Sequence, residues 1–81
     1  MRLDKFFKVA RIIKRRTVAQ EILREGLVTV NGRPAKPATQ VEPGDVVVVT
    51  LGSRTLKFEV LRVGGSARAE EAGSFYRILS E

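Results

Sequence analysis

Leu3, Phe6, Phe7, Ala10 and Ile13 recur at steps of three and four residues, which predicts a short amphipathic helix from about Leu3 to Ile13. Lys5 and Lys8 fall on its wet side, and both phenylalanines face the core. Thr17 followed by Gln20 fits a capping box. Val18, Ala19, Ile22 and Leu23 then make an apolar stripe that Gly26 is placed to end, so a second helix is predicted over about Val18 to Glu25. Lys14-Arg15-Arg16 is left as a basic run at the corner between the helices.

After Gly26 the period changes to two. Val28 and Val30 alternate with Thr29, and Asn31-Gly32 supplies the signal for a tight hairpin that returns through Arg33 to Lys36. Pro43-Gly44 marks a further turn, and the β-branched run Val46 to Leu51 reads as a strand. Gly52-Ser53 leads into Thr55 to Val63, where Leu56, Phe58 and Val60 alternate with Lys57 and Glu59, a half-buried strand paired with the one before it. Gly64-Gly65-Ser66 through Gly73 reads as a loop, and Phe75 to Leu79 as a last short strand. Two helices followed by three to five short strands, with no repeat or linker, predict one α+β domain spanning residues 1–81, its helices packed on one side of a small, mostly antiparallel sheet.

Composition narrows the chemistry. The 81 residues contain no Cys and no His, which removes thiol nucleophiles, disulfides, Cys/His metal sites and Ser-His triads together. No apolar run approaches the ~20 residues that span a bilayer, so an intracellular protein without membrane contact is expected. Lys and Arg number 15 against 9 Asp and Glu, a formal charge of +6. All of that excess lies before residue 37, where Arg2, Lys5, Lys8, Arg11, Lys14, Arg15, Arg16, Arg24, Arg33 and Lys36 face only Asp4, Glu21 and Glu25. The remainder is close to neutral, so the segregation points to an anionic partner for the N-terminal part.

No catalytic constellation can be assembled, and neither an enzyme nor a cofactor is expected. Asp4 and Asp45 are the two aspartates. Asp4 is suited to capping the first helix or orienting a neighbouring arginine, and Asp45 follows a Pro-Gly turn. Gly64-Gly65 lacks the features of a phosphate loop. What remains is a binding surface: Arg2, Lys5, Lys14, Arg15 and Arg16 suit phosphates, reinforced by the amides at the start of the second helix. Phe6, Phe7, Phe58, Phe75 and Tyr76 fit core or strand positions rather than a stacking platform, which favours recognition of structured RNA by backbone and shape.

Arg2-Leu3-Asp4-Lys5, Arg11, Lys14-Arg15-Arg16-Thr17, Ala19, Gly26, Val28, Val30-Asn31-Gly32, Lys36-Pro37 and Gly44-Asp45 together resemble the S4-type RNA-binding domain over residues 2–49. The resemblance implies an RNA-binding surface built from two helices and the following hairpin. The matching positions are Arg2, Asp4, Lys5, Arg11, Lys14, Arg15, Arg16, Asn31, Gly32 and Lys36. The stretch Arg2 to Thr17, with Glu70-Glu71-Ala72 and Phe75 to Leu79, is further similar to the free-standing S4-type factors of bacterial ribosome-associated quality control, the RqcP (YabO) family. That resemblance implies a monomeric, cytoplasmic, ribosome-associated protein. Its partners would be large-subunit rRNA, an obstructed peptidyl-tRNA and an RqcH-type factor that adds C-terminal alanine tails.

The related heat-shock S4-type proteins, which recycle stalled large subunits, carry a long basic C-terminal extension. The neutral-to-acidic ending at Glu81 favours the quality-control branch over that alternative, and a generic structured-RNA-binding module is the other alternative. Two rivals come from other classes, a helix-turn-helix DNA regulator and an assembly protein whose basic face meets an acidic protein. Glu21 and Glu25 on the second helix count against entry into a DNA groove.

Overall fold

The computed structural model describes residues 1–64 and 74–80. The expected loop from Gly65 to Gly73, including Glu70-Glu71-Ala72, lies outside the described residues. The elements are α1 (Leu3–Val9), α2 (Arg16–Arg24), β1 (Val28–Val30), β2 (Arg33–Pro34), β3 (Val46–Leu51), β4 (Arg54–Val60) and β5 (Tyr76–Ser80). The strands form one sheet in the order β2-β1-β3-β4-β5, antiparallel at every pairing.

The first helix is shorter than its periodicity predicts. Arg11 adopts φ 58°, its N–H bonds the Lys8 carbonyl at 3.0 Å and the Ile12 N–H bonds the Phe7 carbonyl at 3.0 Å. This is a Schellman closure with arginine in the left-handed position usually held by glycine. Ile12 and Ile13 keep the apolar spacing because they fold back against the core, not because the helix continues. The second helix starts at Arg16 rather than Val18 and ends at Arg24. Its N-cap, Arg15, makes no side-chain cap bond, so the predicted Thr17–Gln20 capping box does not form. Its C-terminus closes as expected through Gly26 at φ 78°, whose N–H bonds the Leu23 carbonyl at 3.2 Å.

Asn31 and Gly32, at φ 52° and 80°, form the two-residue loop joining β1 to β2. Positive φ at both central residues is the type I′ geometry that matches strand twist. The register pairs Val28 with Val49 and Val47 with Phe58, placing these side chains on the helix side of the sheet, while Thr29, Val48 and Lys57 line the opposite side. β4 begins at Arg54 and stops at Val60, short of Val63, and β5 begins at Tyr76 rather than Phe75, with an irregularity opposite Lys57/Phe58.

The core lies between helices and sheet. Phe6 and Phe7 each place their rings 6.1 Å from Phe58, and Phe75 lies 6.3 Å from Phe6. All four phenylalanines are buried and Tyr76 is half-buried, so none of the phenylalanines is open to stack on a base. Ala35 and Val41 anchor the long connection from β2 to β3, and that connection finishes α1. Thr39 and Pro37 carbonyls accept the Leu3 and Asp4 N–H groups at 2.8 and 3.3 Å. Two of the free N–H groups at the start of α1 are therefore satisfied by backbone, and the Asp4 carboxylate takes a third, the Lys5 N–H. Among the described residues, no helix is long and apolar enough to cross a membrane.

Candidate nucleic-acid interface

Asp4 is a fully buried carboxylate in a strongly basic region, and the surrounding side chains are organised around it. Arg2 donates from Nε to Oδ1 at 3.3 Å and from Nη2 to Oδ2 at 3.1 Å. The Lys5 backbone N–H reaches Oδ1 at 2.7 Å, Arg16 Nη2 reaches Oδ1 at 3.3 Å and Gln20 Nε2 reaches Oδ2 at 2.9 Å. Arg16 Nε also sits 3.2 Å from Oδ2, without the alignment of a hydrogen bond. Burying a lone carboxylate would be costly; two guanidiniums and two neutral donors offset that cost.

Burial pushes the Asp4 carboxyl up, but the hydrogen bonds from Gln20, Arg16 and the Lys5 amide, with the charge of Arg16, outweigh it and hold the group below its ordinary 3.8. The depressed value carries a sign. The stabilisation is complete above the unfolded-state pKa, about 3.9, and is lost as pH falls through the lower folded-state value. Denaturant titrations should therefore show stability flat from about pH 7 to 5 and declining below about pH 4, with a smaller decline in Asp4→Asn. An acid limb unchanged by that substitution would assign the loss to other carboxylates.

One negative charge between two positive ones leaves the cluster net cationic. The side chains of Arg2 and Arg16 are 45% and 40% exposed, so both are held at their inner edge and open at their outer edge. A guanidinium has five N–H donors; Arg2 spends two on Asp4 and Arg16 one. The remaining Nη donors are oriented and available to a phosphate, with side-chain entropy already reduced, while Arg16 Nε is buried against Asp4.

The other expected residues take different positions. Lys5 is exposed beside Asp4, and Arg15 and Lys14 are exposed immediately before Arg16. Exposed Lys36 opens the loop whose Pro37 and Thr39 carbonyls meet α1, and its own N–H bonds Thr39 Oγ1 at 2.8 Å. Lys5, Lys14 and Arg15 neighbour the cluster in sequence, and Lys36 lies on the loop bonded to the start of α1. Arg11 stands apart, just past the C-terminal end of α1, whereas Asp4 lies in its first turn. Asn31 is also separate, and its carboxamide is committed to the fold: Nδ2 donates to Asp45 Oδ1 at 3.1 Å and Oδ1 accepts the Val46 N–H at 2.9 Å. Between the hairpin and the connection lies an open groove of about 500 Å³ with Arg33 and Gln40 on its walls.

Gln20 belongs to this site and escaped the sequence reading, which assigned it to a local cap. Its i, i+4 spacing from Arg16 was the available signal, since both then lie on one face of α2.

Residues 1–47 match the model of the S4 domain. The chain belongs to the S4-domain family. Over its full 81 residues the chain is 46% identical to the RQC P-site tRNA stabilizing factor of Halalkalibacterium halodurans, covering 92% of that protein. It is 43% identical to the protein of the same name in Bacillus subtilis, covering 94% of it. Among solved structures, the chain superposes on the trimeric structure of Vibrio cholerae heat shock protein 15 with a TM-score of 0.88 and 32% identity. That match covers 99% of this chain and 82% of the other.

Proposed function

We propose that this protein is a non-catalytic RNA-binding factor of bacterial ribosome-associated quality control that holds tRNA on the large ribosomal subunit. The observation that carries the reading is the buried Asp4 carboxylate, which orients Arg2 and Arg16 while leaving both partly exposed. Such an arrangement has no acid, base or nucleophile to offer a substrate, but it presents fixed cations to a phosphate backbone. Lys5, Lys14, Arg15 and Lys36 extend the cationic surface around this anchor. Arg11 and the Asn31-Gly32 turn extend it at separate points, the turn contributing through its shape because the Asn31 amide is occupied. Clamping rRNA and tRNA together would stabilise an obstructed peptidyl-tRNA, so that an RqcH-type factor on the same particle can add alanines in the cytoplasm without the small subunit.

The names of the full-length relatives support the tRNA-stabilizing role over large-subunit recycling of the heat-shock type. Identity to those relatives is higher than to the Vibrio heat shock protein, 43–46% against 32%. With about five phosphates engaged, log affinity for tRNA or rRNA fragments should fall against log salt with a slope of about −3 to −5. Arg16→Ala should weaken that binding roughly tenfold or more and make the slope shallower by about 0.7 to 0.9, with the fold intact by circular dichroism. Binding to RNA by the Arg16 variant at the unaltered level, or equal binding of the parent protein to RNA and DNA of one length, contradicts the reading.

A further inference from the structure

The open groove between the hairpin and the connection to β3 offers chemistry that the Asp4 cluster lacks. One wall carries Val30, Arg33 and Pro34, and the other Thr39 and Gln40. The start of the chain ties this groove to the anchor, because Arg2 and Gln40 are antiparallel bridge partners. They are bracketed by bonds from the Leu3 N–H to the Thr39 carbonyl at 2.8 Å and from the Val41 N–H to the Met1 carbonyl at 3.0 Å. A pair bracketed but not joined by its bonds is the closer of the two antiparallel arrangements, with both side chains on one face and Cβ atoms about 5 Å apart. Gln40 therefore links Arg2 to the groove. The Gln40 carboxamide and the Arg33 guanidinium are both exposed, and neither has a hydrogen bond or ion pair among the described residues.

We infer that this groove holds one nucleotide of the bound RNA, next to the phosphate taken by Arg2. Charge argues against a plain track of phosphates. Asp45 also lines the groove, its Oδ1 accepting Asn31 Nδ2 at 3.1 Å and its Oδ2 the Glu42 N–H at 2.9 Å, and its carboxylate repels a phosphate run past it. Arg33 supplies a forked cation for a single phosphate. Gln40 supplies both donors and an acceptor, which match a base edge or a ribose 2′-hydroxyl, whereas a phosphate uses the donors alone. Val30 and Pro34 give apolar surface between them, and the volume of about 500 Å³ falls within the range of small-ligand sites. The inference deepens the proposed RNA-binding function and rests on it.

The test measures the full chain and its Gln40→Met, Arg33→Ala, Arg54→Ala and Arg16→Ala variants against a tRNA and against vacant large ribosomal subunits. Affinity is read across a salt series, with the thermal midpoint of each protein. Methionine keeps the length of the side chain and removes the carboxamide. Gln40→Met is expected to bind at least one of the two ligands three- to tenfold more weakly with an unchanged salt slope, because no charge is lost. Arg33→Ala should weaken binding to the same ligand and make the log–log slope shallower by about 0.7 to 0.9, the signature of one phosphate. Thermal midpoints should stay at the parent value, since neither side chain has a partner to lose. Whichever ligand responds, tRNA or subunit, supplies the nucleotide. Arg54, exposed at the start of β4, controls for loss of charge alone. Parent-level binding of both ligands by Gln40→Met or by Arg33→Ala, while Arg16→Ala is impaired, overturns the inference and leaves the proposed function standing. So does a Gln40→Met loss that follows a fall in thermal midpoint, or an Arg54→Ala loss equal to that of Arg33→Ala. Parent-level binding by Arg16→Ala overturns the RNA-binding reading itself.

Discussion

Phe58→Ala is expected to cost roughly 3–5 kcal/mol and to leave much of the protein unfolded at 37 °C. Phe58 is fully buried on β4, paired with Val47 of β3 on one side and Ile78 of β5 on the other. Its ring meets Phe6 and Phe7 from α1 and, at 5.5 Å, Tyr76 from β5. One side chain therefore joins the helix that carries Asp4 to both neighbouring strands. A chain of 81 residues has a total stability of roughly 4–12 kcal/mol, so the loss is a large share of the whole. Urea unfolding followed by circular dichroism measures it. Lys57→Ala, one residue away on the opposite side of the sheet, should change stability by less than about 0.5 kcal/mol. A Phe58 loss below about 1.5 kcal/mol would mean that the aromatic cluster is not the core.

Asp4→Asn is expected to affect stability and recognition in different ways. The stability loss should be about 2–3 kcal/mol, below the 3–5 kcal/mol typical of a broken buried ion pair, because the arginines are partly exposed and can turn into water. The substitution also raises the formal charge from +6 by one. If charge alone governed binding, affinity for RNA would rise. Orientation of Arg2 and Arg16 governs it here, so affinity for tRNA should fall while affinity for an unstructured polyanion is retained or increased. Competition between a tRNA and poly(U) at fixed salt distinguishes the two. Tighter binding of both RNAs by the variant would show that the carboxylate has no part in recognition.

Much of the fold was legible because its signals are local. The run Val46 to Leu51 permits little but a strand, Asn31-Gly32 specifies a type I′ loop by its φ values, and Gly26 closes α2 where a glycine is expected. The errors arose where distant contacts overrode a local pattern. Arg11 ends α1 in a left-handed conformation that its residue type does not advertise, while Ile12 and Ile13 continue the helical spacing for the sake of the core. Thr17 and Gln20 have the spacing of a cap, yet Gln20 turns instead to a carboxylate 16 residues earlier. The basic residues of the site were readable from charge segregation. That Asp4 orients a neighbouring arginine was readable as well; that it gathers Arg2, Arg16 and Gln20 together was not, since it depends on which side of α2 meets the start of α1.

The central claim is that the oriented cations serve a tRNA held on the large ribosomal subunit rather than polyanions in general. Co-sedimentation with bacterial ribosomal particles tests it most directly, comparing vacant large subunits, large subunits carrying peptidyl-tRNA, small subunits and intact ribosomes at near-physiological salt. The predicted result is selective recovery with the tRNA-loaded large subunit, much reduced for Arg16→Ala. Equal recovery with every particle, abolished by a modest rise in salt, would contradict it.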